Sequence, residues 1–284
     1  MRAPDADRSV VWRAETQDRL DRAVARLFPG TSRGAARSLI ADGRVFVDGR
    51  RCRVASRPVY AGNVLRVASA AAVARAAAAV VPPILFEDAD LLAIDKPAGM
   101  ATSPTRSAAA GTALDLLTEA LRARRDRPAR LWVVHRLDAA TSGVLVFAKT
   151  RAAAAALSAA FAEGRVEKTY LARVAGVPDA RAGTIDDAID DAARRVRIDP
   201  GGRPARTEWA LVAADDRGAL LRIRPRTGRR HQIRVHLRAL GHPLLGDRTY
   251  GGPPAPRLML HAARLVVPHP RSGAPLALES PREL

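Results

Sequence analysis

The sequence of 284 residues is short of several features, and each shortage excludes a class of protein. A single cysteine, Cys52, can form neither a disulfide framework within the chain nor a cysteine-based zinc cluster. The most apolar stretch, 68–83, is mostly alanine and is broken by Arg75, so no transmembrane helix is predicted. The N-terminus has no apolar signal core, and Asp5 and Asp7 argue against a transit peptide. We therefore expect a cytoplasmic protein without a membrane anchor.

Lysine is scarce as well, since only Lys96, Lys149 and Lys168 stand among the 47 Lys and Arg residues. Against 29 Asp and Glu, this leaves a formal net charge of +18 that is carried almost wholly by arginine. A GC-rich genome explains the choice of arginine over lysine, but it does not explain the excess of cations over anions. Arginine binds phosphate through two parallel hydrogen bonds and stacks on bases, so the charge indicates a nucleic-acid partner.

The composition divides the chain into a front module, a linker and a larger domain. Residues 1–67 hold 14 arginines and 7 acids, which makes this segment more basic per residue than the rest. Residues 68–83 are rich in alanine and end in two prolines, which predicts a linker. Residues 84–284 are expected to form the main domain, because a hydrophobic content of 48% is enough for a sizeable core.

The front module is predicted to contain two short helices and a small β ribbon. Leu20, Val24 and Leu27 recur at helical spacing and predict the first helix. Ser32 is a suitable N-cap for the second helix, which we expect to stop at Gly43. An Asp-Gly pair then predicts a tight turn between two strands. The result is a compact module rich in exposed arginine.

The main domain is predicted to hold a few helices and a larger number of strands. The helices are predicted over 112–124, 151–163 and 231–240. The strands are predicted over 91–95, 131–134, 144–149, 170–174 and 220–224. Because helices and strands do not alternate regularly, we expect an α+β fold with a mixed, largely antiparallel sheet and helices packed on it.

One polar segment lies between two apolar strands and reads His-Arg-Leu-Asp-Ala-Ala-Thr-Ser-Gly over His135–Gly143. A polar loop at the edge of a sheet is a common place for a functional carboxylate. Asp138 could act as a nucleophile or as a base, and a nearby cation would keep it ionised. It could equally cap the turn that follows, and the local chemistry leaves both interpretations open.

A second segment, Arg222–Arg238, holds seven arginines and no acid. Ile233 and Leu237 stand at helical spacing, so the latter half of the segment is predicted to be helical. Residues 227–230 then lie just before a helix N-terminus, a position that suits an anion such as phosphate. A merely solvated basic face is the alternative, but a run this one-sided favours a binding site.

The histidines do not match a metal site. Their spacing fits no HExxH pattern, and no acids accompany them at ligand spacing. The glycine-rich stretch Asp199–Gly202 lacks the Lys-Ser/Thr pair that a phosphate-binding loop needs. We therefore expect neither a metal nor a nucleotide cofactor.

Several motifs occur along the main domain in an order that is typical of one enzyme family. His135–Gly143 is followed by Lys168–Ala172, of the pattern Lys-x-Tyr-x-Ala, and by Thr227–Leu237, which begins Thr-Gly-Arg and continues to His-Gln-Ile-Arg. A Lys-Pro-x-Gly turn at Lys96–Gly99 precedes them, and Gly241–Pro243 follows. In these motifs the chain resembles the RluA-type RNA pseudouridine synthases.

The front module resembles the α-L type RNA-binding module of a small-subunit ribosomal protein. The similarity is carried by Arg19-Leu20-Asp21, by Ser32-Arg33, by Gly43-Arg44-Val45 and by Val47-Asp48-Gly49. Synthases of the family often carry such a module in front of the catalytic domain. The resemblance implies RNA contacts from the module's arginines, which are Arg33, Arg37, Arg44, Arg50 and Arg51.

The resemblance also implies an activity, the isomerisation of specific uridines in structured RNA to pseudouridine, with rRNA favoured over tRNA. The target base would leave the RNA stack and enter the enzyme. Asp138 would promote cleavage of the N1–C1′ bond, either by adding to the ribose or by removing a ribose proton. Tyr170 would stack on the target base, and Arg229 would pair with Asp138 and keep it ionised.

The remaining residues of the motifs are expected to bind the substrate or to shape the site around it. These residues are Arg136, His135, Thr141, His231, Gln232 and Arg234. Arg136 would fill the gap left by the flipped base or hold a phosphate. An isomerisation needs no cofactor, and a monomer is expected. Two rivals stay open, a non-catalytic RNA-binding or ribosome-assembly factor on the same fold and a hydrolase that releases uracil.

Overall fold

The chain forms two units in a computed structural model that describes residues 10–27, 31–48, 50–68, 81–104, 111–124, 130–193 and 195–284. The first unit comprises Met1–Val81 with Ala101–Ala120, and the second comprises Pro82–Met100 with Leu121–Leu284. Most of the predicted linker, residues 69–80, lies outside the described residues.

The first unit contains short helices and strands, as predicted. Along the chain these are β1 (Val10–Arg13), β2 (Asp18–Arg19), α1 (Leu20–Leu27), α2 (Arg33–Ala41), β3 (Val45–Val47), β4 (Arg50–Arg51), β5 (Pro58–Val59) and β6 (Val64–Val67). Ser32 caps α2 by accepting a hydrogen bond from the amide of Ala35 at 3.1 Å, which confirms the predicted cap. The sheet has the order β1-β6-β3-β4, and the helices pack on it through residues such as Leu20, Val24 and Ile40.

The rest of the chain supplies three helices and twelve strands among the described residues. The helices are α3 (Ala113–Ala123), α4 (Arg151–Ala162) and α5 (Gln232–Ala239). The strands are β7 (Ile84–Glu87), β8 (Leu91–Lys96), β9 (Trp132–Val133), β10 (Ser142–Ala148), β11 (Glu167–Val174), β12 (Ala182–Ile185), β13 (Ile189–Asp190), β14 (Arg197–Ile198), β15 (Thr207–Asp215), β16 (Gly218–Pro225), β17 (Leu260–Pro268) and β18 (Pro275–Glu279).

The second unit is built on a ten-stranded sheet with the order β12-β15-β16-β11-β17-β10-β8-β7, and β18 and β9 pair with β17 and β10. Among the described pairs of this sheet, only β10 and β17 run parallel, whereas the others are antiparallel. The predicted mixed, largely antiparallel sheet of an α+β fold is therefore confirmed.

Two apolar cores in the second unit fix where the helices lie. Helix α4 packs against β10 and its neighbours through Leu157 and Ala160, which contact residues such as Val146. Helix α5 packs against β11, β15 and β16 through Ile233 and Leu237. Each core covers a different half of the sheet. The loop that leads into β10, the strand β11 and the loop before α5 meet beside the second core.

One glycine is required where the polar loop enters β10. Gly143 has a φ of 113°, and a Cβ atom there would lie 2.2 Å from the carbonyl oxygen of Ala262 on the parallel strand β17. Any larger residue would push the two strands apart. The Thr-Ser-Gly ending of the motif is thus a packing requirement as well as a signature.

Candidate active site

A cavity of about 620 Å³ opens in the second unit where three chain segments converge. The first is the loop 135–141 before β10, the second is the start of β11 with Lys168 and Tyr170, and the third is 225–234, which runs from β16 into α5. The segments are far apart in sequence, yet each carries one of the motifs that the sequence predicts to be functional. The fold therefore brings the predicted motifs to one place.

The loop 135–141 is held at its start by His135. Its Nε2 accepts a hydrogen bond from the amide of Val146 at 3.0 Å, and its ring stacks on Phe161 at 4.5 Å. Burial, aided by the charge of Lys168, lowers the pKa of His135 to about 3. The ring is therefore neutral, as an acceptor must be, and His135 shapes the loop.

Lys96 holds the same loop from the other side and was not among the residues predicted to form the site. Its fully buried ammonium donates to the carbonyl oxygens of Pro97 (3.0 Å), Met100 (2.8 Å) and Ala139 (3.2 Å). Burial lowers the pKa of Lys96 to about 8, although the charge of Asp138 acts in the opposite direction. The sequence feature that could have indicated a role for Lys96 is the rarity of lysine in so basic a chain.

Asp138 lies in the cavity with 27% of its side chain exposed. Its Oδ2 is 3.7 Å from Nε2 of His231 and 3.7 Å from Nη1 of Arg234. The amide of Thr141, which is buried, donates to the backbone carbonyl of Asp138 at 3.1 Å and closes the turn. The carboxylate is thus both fixed by the turn and accessible from the cavity.

Arg234 is fixed by a second carboxylate behind it. Nε and Nη2 donate to the two oxygens of Asp247 at 2.7 Å each, and Asp247 is fully buried. Burial acts against the charge of Arg234, but the hydrogen bonds to Asp247 outweigh it and raise the pKa of Arg234. The guanidinium therefore stays charged and points its free edge at Asp138. The sequence pattern did not indicate the pairing of Asp247 with Arg234.

The predicted ion pair between Arg229 and Asp138 is wrong. Among the described residues, the basic side chains within 4.0 Å of the Asp138 carboxylate are those of His231 and Arg234, and of these Arg234 carries a charge. Arg229 lines the cavity, but its Nε donates to the carbonyl oxygen of Pro204 at 3.0 Å. The loop before α5 directs Nε of Arg229 to Pro204, whereas the first turn of the helix brings Arg234 to Asp138.

His231 adopts an unusual backbone conformation to reach the carboxylate. Its φ is 54° and its ψ is 17°, the left-handed region that non-glycine residues seldom occupy. Nδ1 contacts the hydroxyl of Tyr250 at 2.9 Å, so the ring is held between Tyr250 and Asp138. Burial lowers the pKa of His231, although the charge of Asp138 acts against this.

Gln232 positions the loop before α5, and its predicted contact with the substrate stays a prediction. Its Oε1 accepts from the hydroxyl of Thr227 (2.7 Å) and the amide of Arg229 (3.0 Å). Its Nε2 donates to the carbonyl oxygen of Arg206 and to the hydroxyl of Thr207, both at 3.0 Å. The buried amide is satisfied within the protein.

Tyr170 and Arg136 face the cavity as predicted. Tyr170 is partly buried, and burial together with the charge of Asp138 raises the pKa of its hydroxyl. It is therefore a neutral phenol at physiological pH. Arg136 is exposed, and within the described residues no hydrogen bond or ion pair holds its guanidinium. Arg136 is free to meet a ligand that enters the cavity.

The arginines of the first unit that were predicted to contact RNA differ in their exposure and in the groups that they bind. Nε of Arg33 and Nε of Arg37 both donate to the fully buried carboxylate of Asp21, at 3.0 and 3.1 Å, while their side chains stay 43% and 54% exposed. Arg44 donates to a backbone carbonyl, and Arg51 is only 19% exposed and pairs with Glu119. The side chain of Arg50 lies outside the described residues.

One group of side chains has the composition of a cation site. Ligand atoms of Asp88, Asp90 and His269 lie within 4.8 Å of one another. Nε2 of His269 already contacts Asp88 at 2.7 Å, and Arg271 binds both oxygens of Asp90 at 2.7 and 3.1 Å. With these partners in place the group has the geometry of an ion-pair network, and we assign no metal to it.

No helix within the described ranges is long and apolar enough to cross a membrane. Comparison with family models gives two matches. A model described as RNA pseudouridylate synthase matches residues 90–239, and a model of the S4 domain matches residues 18–65.

Curated relatives match over most of this chain and of their own length. Ribosomal large subunit pseudouridine synthase D of Yersinia pestis is 35% identical over 283 residues, which cover 92% of this chain and 86% of the relative. Dual-specificity RNA pseudouridine synthase RluA of Escherichia coli (strain K12) is 39% identical over 212 residues, which cover 70% and 93%. An uncharacterized RNA pseudouridine synthase of Chloroflexus aurantiacus is 40% identical over 289 residues, with coverage of 93% and 86%.

Two solved human structures share the fold. Human RNA Pseudouridylate Synthase Domain Containing 4 has a TM-score of 0.61 at 26% identity and covers 73% of this chain and 90% of its own. Human RNA Pseudouridylate Synthase Domain Containing 1 has a TM-score of 0.58 at 30% identity, with coverage of 71% and 83%.

Proposed function

This chain belongs to the RNA pseudouridylate synthase family and is an RNA pseudouridine synthase, an isomerase, and from this premise we propose that Asp138 is its catalytic carboxylate. The observation that carries the proposal is the place of Asp138, partly exposed in a cavity of about 620 Å³ and faced by His231 and Arg234. We propose specific uridines of structured RNA as the substrate, with rRNA favoured over tRNA.

The preference for rRNA rests on the front of the chain. The relative whose name specifies the ribosomal large subunit aligns with 92% of this chain, whereas the dual-specificity relative aligns with 70%. The S4 domain over residues 18–65 is an RNA-binding module that would extend the contact with the substrate. We assign RNA anchoring to residues 1–67, a linker to 68–83 and catalysis to 84–284.

The chemistry conserves every atom of the nucleotide. The N1–C1′ bond breaks, and its electron pair leaves with N1 of the uracil. The ring turns within the cavity, C5 forms a bond to C1′, C5 loses its proton and N1 gains one. Asp138 promotes the first step, either by adding to the ribose or by removing a ribose proton. Because no electron or group is gained overall, we propose that the enzyme needs neither metal nor cofactor.

The cavity is of a size that holds one nucleoside, since binding pockets for small molecules span about 300–1,000 Å³. Flipping the uridine out of its stack costs a few kcal/mol, which RNA contacts must offset. We propose that Arg136, which is exposed at the cavity, fills the gap in the RNA or holds a phosphate. Tyr170 would stack on the base as a neutral phenol.

We assign the support of Asp138 to Arg234 and His231. A cation that a second carboxylate holds in place can face the catalytic carboxylate without forming a close ion pair with it. Arg229 remains a cavity residue whose outer face is suited to a phosphate. His135 and Thr141 shape the loop, and Gln232 shapes the arginine-rich segment. We further propose that the enzyme acts as a monomer in the cytoplasm.

The rival interpretation, a non-catalytic RNA-binding factor, is disfavoured because the relatives are named as synthases and because Asp138 is accessible. Substitution of Asp138→Asn tests the assignment. It is expected to abolish pseudouridine formation in rRNA lacking the modification, measured by mass spectrometry, while RNA affinity stays within about threefold.

Asp216→Asn is the matched control, since it removes one charge from an exposed turn outside the cavity. It should leave both activity and affinity unchanged. Full activity in the Asp138→Asn variant would overturn the catalytic role of Asp138.

A further inference from the structure

Lys168 is a cation in the active-site cavity that the proposed chemistry has not used. It is partly buried at the start of β11, and its Nζ donates to the carbonyl oxygen of Thr227 at 2.9 Å. No carboxylate lies within 4.0 Å of this ammonium in the described part of the chain. An ammonium has three donors, so two N–H groups remain for a ligand.

The strand directs Lys168 at the same space as Tyr170. Residues two apart in a strand share one face of the sheet, and both side chains line the cavity. Gly228 lies opposite, where a Cβ atom would be 4.0 Å from Nζ, so the loop before α5 covers the ammonium with backbone only. The ammonium therefore faces the place where the proposed base would stack.

Most other cations that line the cavity have a protein partner, and Nε of Arg229 donates to the carbonyl oxygen of Pro204. Three arginines pair with carboxylates, Arg203 with Asp191, Arg226 with Glu208 and Arg234 with Asp247. Arg136 is exposed, whereas Lys168 is partly buried. Lys168 is thus a partly buried positive charge beside Tyr170, with no carboxylate within 4.0 Å among the described residues.

Partial burial of an ammonium costs free energy, and the one carbonyl that Lys168 contacts offsets this cost only in part. If the role of Lys168 were only to tether Thr227, a neutral donor would serve without this cost. Burial lowers the pKa of Lys168 to about 8, so the ammonium is still mostly charged at neutral pH. Keeping a charge there points to an anionic ligand that completes the site.

We infer that Lys168 is a catalytic residue whose ammonium binds a carbonyl oxygen of the target uracil while that base is anionic. The inference rests on the proposed function. When the N1–C1′ bond breaks, the electron pair on N1 spreads to the carbonyl oxygens of the ring, and N–H donors placed in advance stabilise that charge. No proton passes to or from Lys168. The charge disappears when C5 bonds to C1′ and loses its proton and N1 is protonated.

The test compares Lys168→Met, Lys168→Gln and Lys168→Arg with the wild type and with Asp138→Asn. Two quantities are measured on an RNA substrate, the single-turnover rate constant at saturating enzyme and the dissociation constant. The Met and Gln variants should lose about 100-fold in rate, as for removal of one oxyanion donor. Their RNA affinity should stay within about threefold, and the Arg variant, which keeps the charge, should recover much of the rate.

Three outcomes would overturn the inference. Wild-type rates in Lys168→Met would show that the charge is not used. A weaker affinity at an unchanged rate would move the contact to a backbone phosphate of the RNA. Full activity in Lys168→Gln with loss in Lys168→Met would reduce Lys168 to a tether for Thr227, since Gln can still donate to a carbonyl. Failure of the proposed function is distinct, because the wild type itself would then form no pseudouridine.

Discussion

The guanidinium of Arg234 binds the buried carboxylate of Asp247 through two hydrogen bonds of 2.7 Å, and this pairing leaves Nη1 facing Asp138 at 3.7 Å. The cation is therefore shared between a carboxylate that fixes it and one that we assign to the chemistry. A shared cation of this kind attracts Asp138 while its carboxylate stays accessible from the cavity.

Asp247→Asn should impair both stability and catalysis. Breaking a buried ion pair from one side leaves an uncompensated charge and costs about 3–5 kcal/mol. Denaturant unfolding measures that loss, and single-turnover rates should fall because Arg234 is no longer held toward Asp138. Asp215→Asn, which breaks the exposed pair with Arg173, is the control. Equal behaviour of the two variants would contradict a special role for Asp247.

Arg234 and Arg229 should differ in what they contribute. Arg234→Met removes the cation that faces Asp138, so the single-turnover rate should fall by about 100-fold or more. Arg229→Met removes a guanidinium that contacts Pro204 and not Asp138. Its loss should therefore lower RNA affinity by a larger factor than it lowers the single-turnover rate. Measuring both constants for both variants separates the roles. A larger loss of rate in Arg229→Met than in Arg234→Met would favour the pairing of Arg229 with Asp138 that was expected from the sequence.

Removing the negative charge of the buried Asp21 should weaken RNA binding, although a gain in net positive charge would by itself be expected to strengthen it. Arg19, Arg33 and Arg37 all bind this carboxylate through Nε while their side chains stay substantially exposed. Asp21→Asn makes the chain more positive, yet it frees the three guanidiniums that the carboxylate holds together. We expect RNA affinity to weaken by about tenfold, or roughly 1.4 kcal/mol.

Asp42→Asn is the matched control, because it removes one negative charge from the exposed C-terminus of α2. It should leave affinity unchanged or strengthen it. The double variant Arg33→Gln/Arg37→Gln keeps Asp21 and should reduce the slope of log affinity against log salt. Tighter binding by Asp21→Asn would contradict the expectation.

The buried charge of Lys168 should make stability depend on pH. Its pKa falls from 10.5 to about 8 on folding, so between these values the unfolded chain holds more protons than the folded one. Stability therefore rises with pH across that window, and the charged lysine opposes folding below it. The wild type should therefore gain stability between about pH 7 and pH 10, whereas Lys168→Met lacks the titrating group. The unfolding free energy of the variant minus that of the wild type should fall by about 2 kcal/mol over this range. Denaturant titrations at both pH values measure it, and a constant difference would contradict the shift.

The helices of this protein were predictable because their signals are local. Predicted helices over 151–163 and 231–240 correspond to α4 and α5 within one residue at each end. Thr150 and Gly164 bound α4 as a side-chain cap and a terminator of positive φ. Such signals involve residues three or four apart, so the sequence pattern contains them in full.

Several strands were not predicted from the sequence pattern. The pattern did not predict β15, β17 or β18, although β17 pairs with both β11 and β10 in the centre of the sheet. Strand β17 includes Arg264 among apolar residues and is held by two partners about a hundred residues distant in the chain. The position of β17 therefore follows from packing and not from local preference.

The sequence by itself determined the family, the α+β class, the two-part architecture and the motif that carries Asp138. It could not determine which of seven arginines in Arg222–Arg238 faces that carboxylate, because their side chains are chemically alike. The tertiary structure decides this, since packing of α5 through Ile233 and Leu237 onto the sheet turns Arg234 inward. In the same arrangement Arg229 donates to the carbonyl oxygen of Pro204 and not to Asp138. An ion pair forms only where the fold brings its two partners together.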